Sequence, residues 1–279
     1  MGLPRRPAAL AERTTSLVSL DEASREPYST VLSYPHANVD AVISRISQLK
    51  ALGVEGLEFS GRLKIGKLSV LGKGVAGVVL GGMIGGRMVA LKIRREDSRR
   101  DSLTKEGAML QLANNVDVGP KFVGVTRDIL AMELVRGNVL PVWLEKTRGR
   151  GQRSRVRSTF TDALHQCFRL DSAYVDHGEL SRAHKNILVR ETGKPCILDF
   201  ESAGRSRRAS NFTSLVQYLF LGGGFSKKVA RILGPVERER LLGNLRLYKT
   251  TDRTGGFDRA LDTLRLGGSR GGRGALLSG

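Results

Sequence analysis

Residues 69–80 read SVLGKGVAGVVL, with Gly72, Gly74 and Gly77 at the spacing G-x-G-x-x-G and Val79 two positions on. Glycines so spaced let a backbone pass close to an anion, and the amide N–H groups of such a loop can cradle phosphate oxygens. The flanking runs, 63–72 and 77–83, are short and β-rich. No helix follows the loop, which argues against a dinucleotide-binding turn, and no Gly-Lys-Ser/Thr follows, which removes the P-loop. A glycine loop between two strands suits a flap over the phosphates of a nucleotide. Lys92, in VALK on the next β-rich run, stands twenty residues after Gly72 and can reach back under that flap toward the α- and β-phosphates. Glu106 falls on the core-facing side of the helix predicted over about 98–114, where a carboxylate can hold the lysine and keep it charged.

A second constellation lies about a hundred residues on. Asn186 precedes Asp199 by thirteen positions, and the intervening ILVRETGKPCIL reads as strand, turn at 192–194, strand. A hairpin returns its ends to one another, so the amide of Asn186 and the carboxylate of Asp199 are predicted to be neighbours. Both are hard oxygen ligands, suited to Mg²⁺ completed by water and phosphate.

Taken in chain order, Gly72-x-Gly74-x-x-Gly77-x-Val79, Val89-Ala90-Leu91-Lys92, His177-Gly178-Glu179-Leu180, Asn186 and Asp199-Phe200 resemble the protein-kinase-like superfamily. Within it they look most like the small atypical kinases of the RIO group and related archaeal predicted serine/threonine kinases. The resemblance covers about 63–221. It implies an α+β, two-lobed fold: a small N-terminal antiparallel sheet with one helix, a mainly helical C-terminal lobe, and ATP with Mg²⁺ in the cleft. It implies metal ligation by Asn186 and Asp199, phosphate contacts from the glycine loop and Lys92, and a hinge at 131–135 whose backbone at Glu133 and Val135 meets the adenine. The position of the family's catalytic aspartate carries Glu179, and Asn186 follows it by seven residues where the family has five. Glu179 is therefore the first candidate for the residue that positions the attacking hydroxyl, Asp176 the second, and the third possibility is that neither serves. The third residue of the family's D-F-G is Glu201 here.

The elements that must position these residues follow from periodicity. Val39, Val42, Ile43, Ile46 and Leu49 keep helical spacing before Gly53. Three β-rich runs, a helix and two more strands at 121–135 then make a small sheet with one helix. Residues 137–151 break the pattern, and Val156, Phe160, Leu164 and Phe168 at steps of four mark a helix. An apolar helix is predicted over 211–221, with two or three more to about 266. The domain reading is 1–62 as an appendage with one amphipathic helix, its first 35 residues weakly structured. Residues 63–136 and 137–266 are the two lobes, and 267–279 a disordered low-complexity tail.

Composition bounds partners more than chemistry. The 279 residues carry 46 Lys plus Arg against 27 Asp plus Glu, a formal charge of +19 that attracts polyanions. Arginine runs at 148–157, read as a mobile linker, and at 204–210 point the same way. RNA or ribosome contact is thus expected as a possible addition to ATP and a protein substrate. Aromatic residues do not interleave with the arginines, so no base-stacking platform is implied. Two cysteines imply no disulfide framework, no apolar run of membrane-spanning length occurs, and the N-terminus lacks a signal-peptide core; a cytoplasmic location is expected. The leading expectation is an ATP- and Mg²⁺-dependent serine/threonine kinase. The alternatives are a small-molecule phosphotransferase of aminoglycoside or choline type, and a weakly catalytic, nucleotide-dependent RNA- or ribosome-binding switch.

Overall fold

The computed structural model describes residues 17–267; the first sixteen residues and the tail beyond Gly267 lie outside the described residues. Two short helices come first, α1 (Leu20–Ala23) and α2 (Ser29–Leu32). Ser19 caps α1 by accepting from the Glu22 amide. Residues 17–35, expected as weakly structured, are therefore ordered, because Leu20, Ala23, Val31 and Leu32 bury their side chains in the core of the sheet that follows.

The amphipathic helix α3 (Val39–Ala51) starts at Asn38, whose side chain accepts from the Ala41 amide, and stops before Gly53 at φ +74°. Its buried face differs from the predicted one. Val39 and Ile43 are 75% and 63% exposed, whereas Val42, Arg45 and Leu49 are buried. Arg45 takes a core position because its guanidinium finds partners there, donating to the Leu32 carbonyl and pairing with Glu96.

The strands β1 (Val54–Glu58), β2 (Leu63–Ile65), β3 (Leu68–Val70), β4 (Gly72–Lys73), β5 (Gly77–Ile84) and β6 (Arg87–Arg94) follow. The run 63–72, expected as one strand, is a β2–β3 hairpin with β4 beyond it. Gly85 and Gly86, at φ +54° and +69°, close the β5–β6 hairpin in the left-handed backbone that a two-residue turn needs. After α4 (Thr104–Asn114) come β7 (Phe122–Val125) and β8 (Ile129–Glu133), giving the sheet order β1-β5-β6-β8-β7 with β4 also on β5. The β1–β5, β4–β5 and β5–β6 pairs are antiparallel. Because β1 pairs with β5, residues 54–58 belong to the sheet.

The chain divides into two units. The first runs to Leu103 and takes in Gly124–Ala131; the second takes Thr104–Val123 and everything from Met132. The division differs from a break at 136, because α4 sorts with the second unit. In the first unit Leu57, Val78, Leu80, Leu91 and Ile93 pack with Leu32 and Leu49, each such side chain contributing about 1.5–3 kcal/mol.

Asp128 ties that unit together. It accepts from Gln48 Nε2 at 2.9 Å and pairs with Arg94, while Gln48 Oε1 accepts from the Asp128 amide and Thr126 Oγ1. Burial raises its carboxyl pKa, but hydrogen bonds from Gln48 and Arg94, with the charges of Arg94 and Arg45, outweigh burial and hold it below the ordinary value. A folded pKa below the unfolded one gives stability that is present above about pH 4 and lost as pH falls through the folded value. Asp128→Asn is expected to flatten the acid limb of a stability-versus-pH curve measured by urea unfolding; an unchanged slope would contradict this assignment.

The second unit continues with β9 (Gly137–Val139), α5 (Leu140–Lys146), α6 (Gln152–Ser172), α7 (Ala183–Asn186), β10 (Ile187–Arg190) and β11 (Pro195–Ile197). The strands form a three-stranded antiparallel sheet in the order β11-β10-β9. Then come α8 (Asn211–Val216), a π-helical turn at Gln217–Leu221, α9 (Gly223–Leu233), α10 (Arg238–Thr250) and α11 (Arg253–Thr263). Architecture is thus α+β, with an antiparallel sheet and, among the described residues, most of the helix in the C-terminal part.

Candidate functional site

In the first unit the register aligns Gly72 with Val79 and Val79 with Lys92. Cross-strand partners share a face, so the glycine loop, Val79 and Lys92 lie in one row across β4, β5 and β6. Lys92 is 7% exposed, which is uncommon for a lysine. Its side chain runs against Gly77: a Cβ there would stand 3.1 Å from Lys92 Cγ and 2.9 Å from the Ile93 carbonyl oxygen. The same construction at Gly72 meets Val79 Cγ2 at 3.2 Å. Gly74 closes the loop, its amide donating to the Gly77 carbonyl at 2.9 Å. Arg95 holds the tip by donating to the Gly74 carbonyl at 3.0 Å, and Lys73 and Arg95 both stand over the Tyr34 ring. Gly77→Ala is expected to cost about 1–3 kcal/mol by overpacking against rigid backbone and to displace Lys92. The unfolding midpoint would fall; a variant as stable as the parent would mean the loop has room the structure does not show.

The second unit holds the other residues. The β10–β11 hairpin forms around Gly193, and the Leu198 amide donates to the Asn186 carbonyl at 2.8 Å, so Asn186 sits level with the residue before Asp199. Asn186 ends α7 rather than starting a strand, and it is 1% exposed. Its amide nitrogen lies 3.5 Å from Glu179 Oε2. Glu179 Oε1 accepts from Ser202 Oγ at 2.8 Å, and Lys185 Nζ stands 3.2 Å from Oε2. Burial opposes ionisation of Glu179, but the bonds from Ser202 and Lys185 outweigh it and hold the carboxyl below its usual value. Asp176, the other candidate, is paired with Arg207 at 3.1 Å, and its backbone bridges Gly204.

Asp199 has φ +65° and ψ +74°, a left-handed backbone that aspartate tolerates better than most residues. One carboxylate oxygen each from Glu106, Asp199 and Glu201 lies within 4.8 Å of the others. Glu106, the carboxylate expected to hold Lys92, is one of these three. Glu201 departs from the D-F-G pattern, and its spacing of two from Asp199 in a tight turn is the signal that brings its carboxylate here.

A buried polar chain sets the loop. Asp171, on α6 and fully buried, accepts from the Asn211 amide at 2.8 Å, Asn211 Nδ2 at 2.7 Å, the Phe212 amide at 3.0 Å and Tyr248 Oη at 2.6 Å. Asn211 Oδ1 accepts from the His177 amide, and His177 Nε2 meets the Leu198 carbonyl at 2.8 Å. Burial pushes the His177 imidazole down, so the neutral ring donates from Nε2 and leaves Nδ1 to face the Glu179 amide at 3.4 Å. No spacing in the sequence marks Asp171 or Asn211, because their partners come from α6, α8, α10 and the loop.

Glu133 pairs with Arg190 at 2.7 Å, and its amide donates to the Lys121 carbonyl. Val135 lies in the irregular segment 134–136. Only 148–151 of the arginine run connect α5 to α6; Arg153, Arg155 and Arg157 are in α6. Arg153 donates to the Leu233 carbonyl and Arg155 to those of Arg148 and Arg150, which satisfies backbone oxygens as capping groups do. Neither the protein-family models nor the curated proteins compared with this chain match it. No described helix is long and apolar enough to cross a membrane.

Proposed function

We propose that the protein is an ATP-dependent phosphotransferase, acting as a serine/threonine protein kinase. The observation that carries this reading is Lys92, a buried lysine laid against Gly77 of the glycine loop and in register with Gly72 and Val79. An ammonium held beneath a glycine loop suits the α- and β-phosphates of a nucleotide, with the loop amides on their oxygens. Glu133 and Val135 are the proposed backbone contacts of the adenine.

The oxygen donors of Asp199, Glu106 and Glu201, with Asn186 nearby in the hairpin register, fit a hard divalent cation. Asp199 and Asn186 are the proposed ligands, and bound Mg²⁺ supplies neutralisation of phosphate charge. Glu179, kept ionised by Ser202 and Lys185, orients the acceptor hydroxyl and takes its proton late in transfer.

The test is incubation of the full chain with γ-labelled ATP and magnesium, with a protein acceptor present, followed by measurement of ADP release and protein-bound label. Transfer to a hydroxyl is expected; nucleotide turnover without any phosphorylated product would reduce the reading to an ATPase, and no turnover would end it. Because the Glu179 carboxyl is held low, the transfer rate is expected to stay level from roughly pH 8 down to about pH 5. An acid limb centred near pH 6 or 7 would assign the proton acceptor to another group.

A further inference from the structure

Ser202 places a hydroxyl where an acceptor hydroxyl belongs. Its Oγ donates to Glu179 Oε1 at 2.8 Å, it is half-buried, and it lies three residues after Asp199 on the same tight turn. Two cations flank it. Lys185 Nζ is 3.2 Å from the same carboxylate, and Arg207 Nη2 donates to the Ser202 carbonyl at 2.8 Å while its Nε pairs with Asp176. A serine hydroxyl donating to a carboxylate, with two cations within reach, makes up an acceptor, a base and a receptor for the phosphate formed.

We propose that Ser202 is a phosphorylation site filled in cis from ATP bound to its own chain, an inference that rests on the phosphotransferase reading. Ser202 Oγ attacks the γ-phosphorus, forming the Oγ–P bond as the bond from that phosphorus to the β–γ bridging oxygen breaks. ADP leaves with the electron pair, and the hydroxyl proton passes to Glu179 and on to water. The new group carries a charge of about −2, which suits charge-assisted bonds from Arg207 and Lys185.

The experiment incubates the purified full chain with magnesium and γ-labelled ATP over a range of protein concentrations. ADP release is followed, and the label is mapped by peptide mass spectrometry. The expected result is label on Ser202 at a first-order rate independent of protein concentration, retained in Ser202→Thr and absent in Ser202→Ala. ADP release with label on Ser206, Ser210 or an added acceptor protein, and none on Ser202, overturns this inference and leaves the phosphotransferase reading standing. A labelling rate that climbs with protein concentration overturns transfer in cis. Absence of any ADP release overturns both.

Discussion

Asp199→Asn is expected to lower the proposed magnesium-dependent phosphate transfer about a thousandfold, the loss of roughly 4 kcal/mol of transition-state stabilisation. Asparagine is the informative replacement. Asp199 occupies a left-handed backbone, at φ +65°, where alanine would add strain of about 1–2 kcal/mol and asparagine would not. The variant keeps size and backbone preference and removes one negative charge from the group formed with Glu106 and Glu201. A loss of transfer with an unchanged unfolding midpoint would then be chemical in origin. Single-turnover rates with Mg·ATP, beside thermal unfolding of the same preparation, decide the matter. Transfer retained within about tenfold would remove Asp199 from the proposed metal site.

Asp171→Ala has the largest expected effect on stability, a loss of about 3–5 kcal/mol. Four donors converge on this carboxylate, from Asn211 twice, Phe212 and Tyr248, and all of them lie inside the second unit. Removing the acceptor leaves them buried without it. The Tyr248 hydroxyl, pushed well up by burial and by the neighbouring Asp171 charge, stays a donor and cannot substitute for the carboxylate. Burial also raises the Asp171 carboxyl, with its hydrogen bonds pulling back only part of the way. A raised folded value means that this group's linked stability is present below the unfolded pKa and declines as pH rises through the folded one. Acid alone should therefore not release the network, in contrast to Asp128. Urea unfolding at neutral pH measures the loss; a change under about 1 kcal/mol would show that the donors find other partners. Because Asn211 also accepts from the His177 amide, Asp171→Ala is expected to loosen the segment that carries Glu179.

The local elements were legible because each rests on a short stretch of chain. Gly85-Gly86 between β-rich runs marks the β5–β6 hairpin, and Thr192-Gly193-Lys194 marks β10–β11, since only particular turns join strands two to five residues apart. Helical spacing before Gly53 located α3, and the α+β class that the resemblance implies matches the observed antiparallel sheet followed by mostly helix. The row Gly72, Val79, Lys92 followed from strand pairing, which a hairpin register fixes locally.

What the tertiary structure decided was every contact whose partners are distant in sequence. The pairing of β1 with β5 drew 54–58 into the sheet, since an edge strand is chosen by the surface available to it. Periodicity named Val39 and Ile43 as core, but the packing buried Arg45 instead, because Leu32 and Glu96 satisfy its guanidinium. Arg155, one of the run at 148–157, holds the backbone carbonyls of Arg148 and Arg150 just before α6, a contact that composition could not show. Asp171, Asn211 and Ser202 carry no motif. Their importance lies in hydrogen bonds to side chains and amides 23 to 77 residues away, and sequence distance holds no record of which buried donors a fold will turn toward one carboxylate.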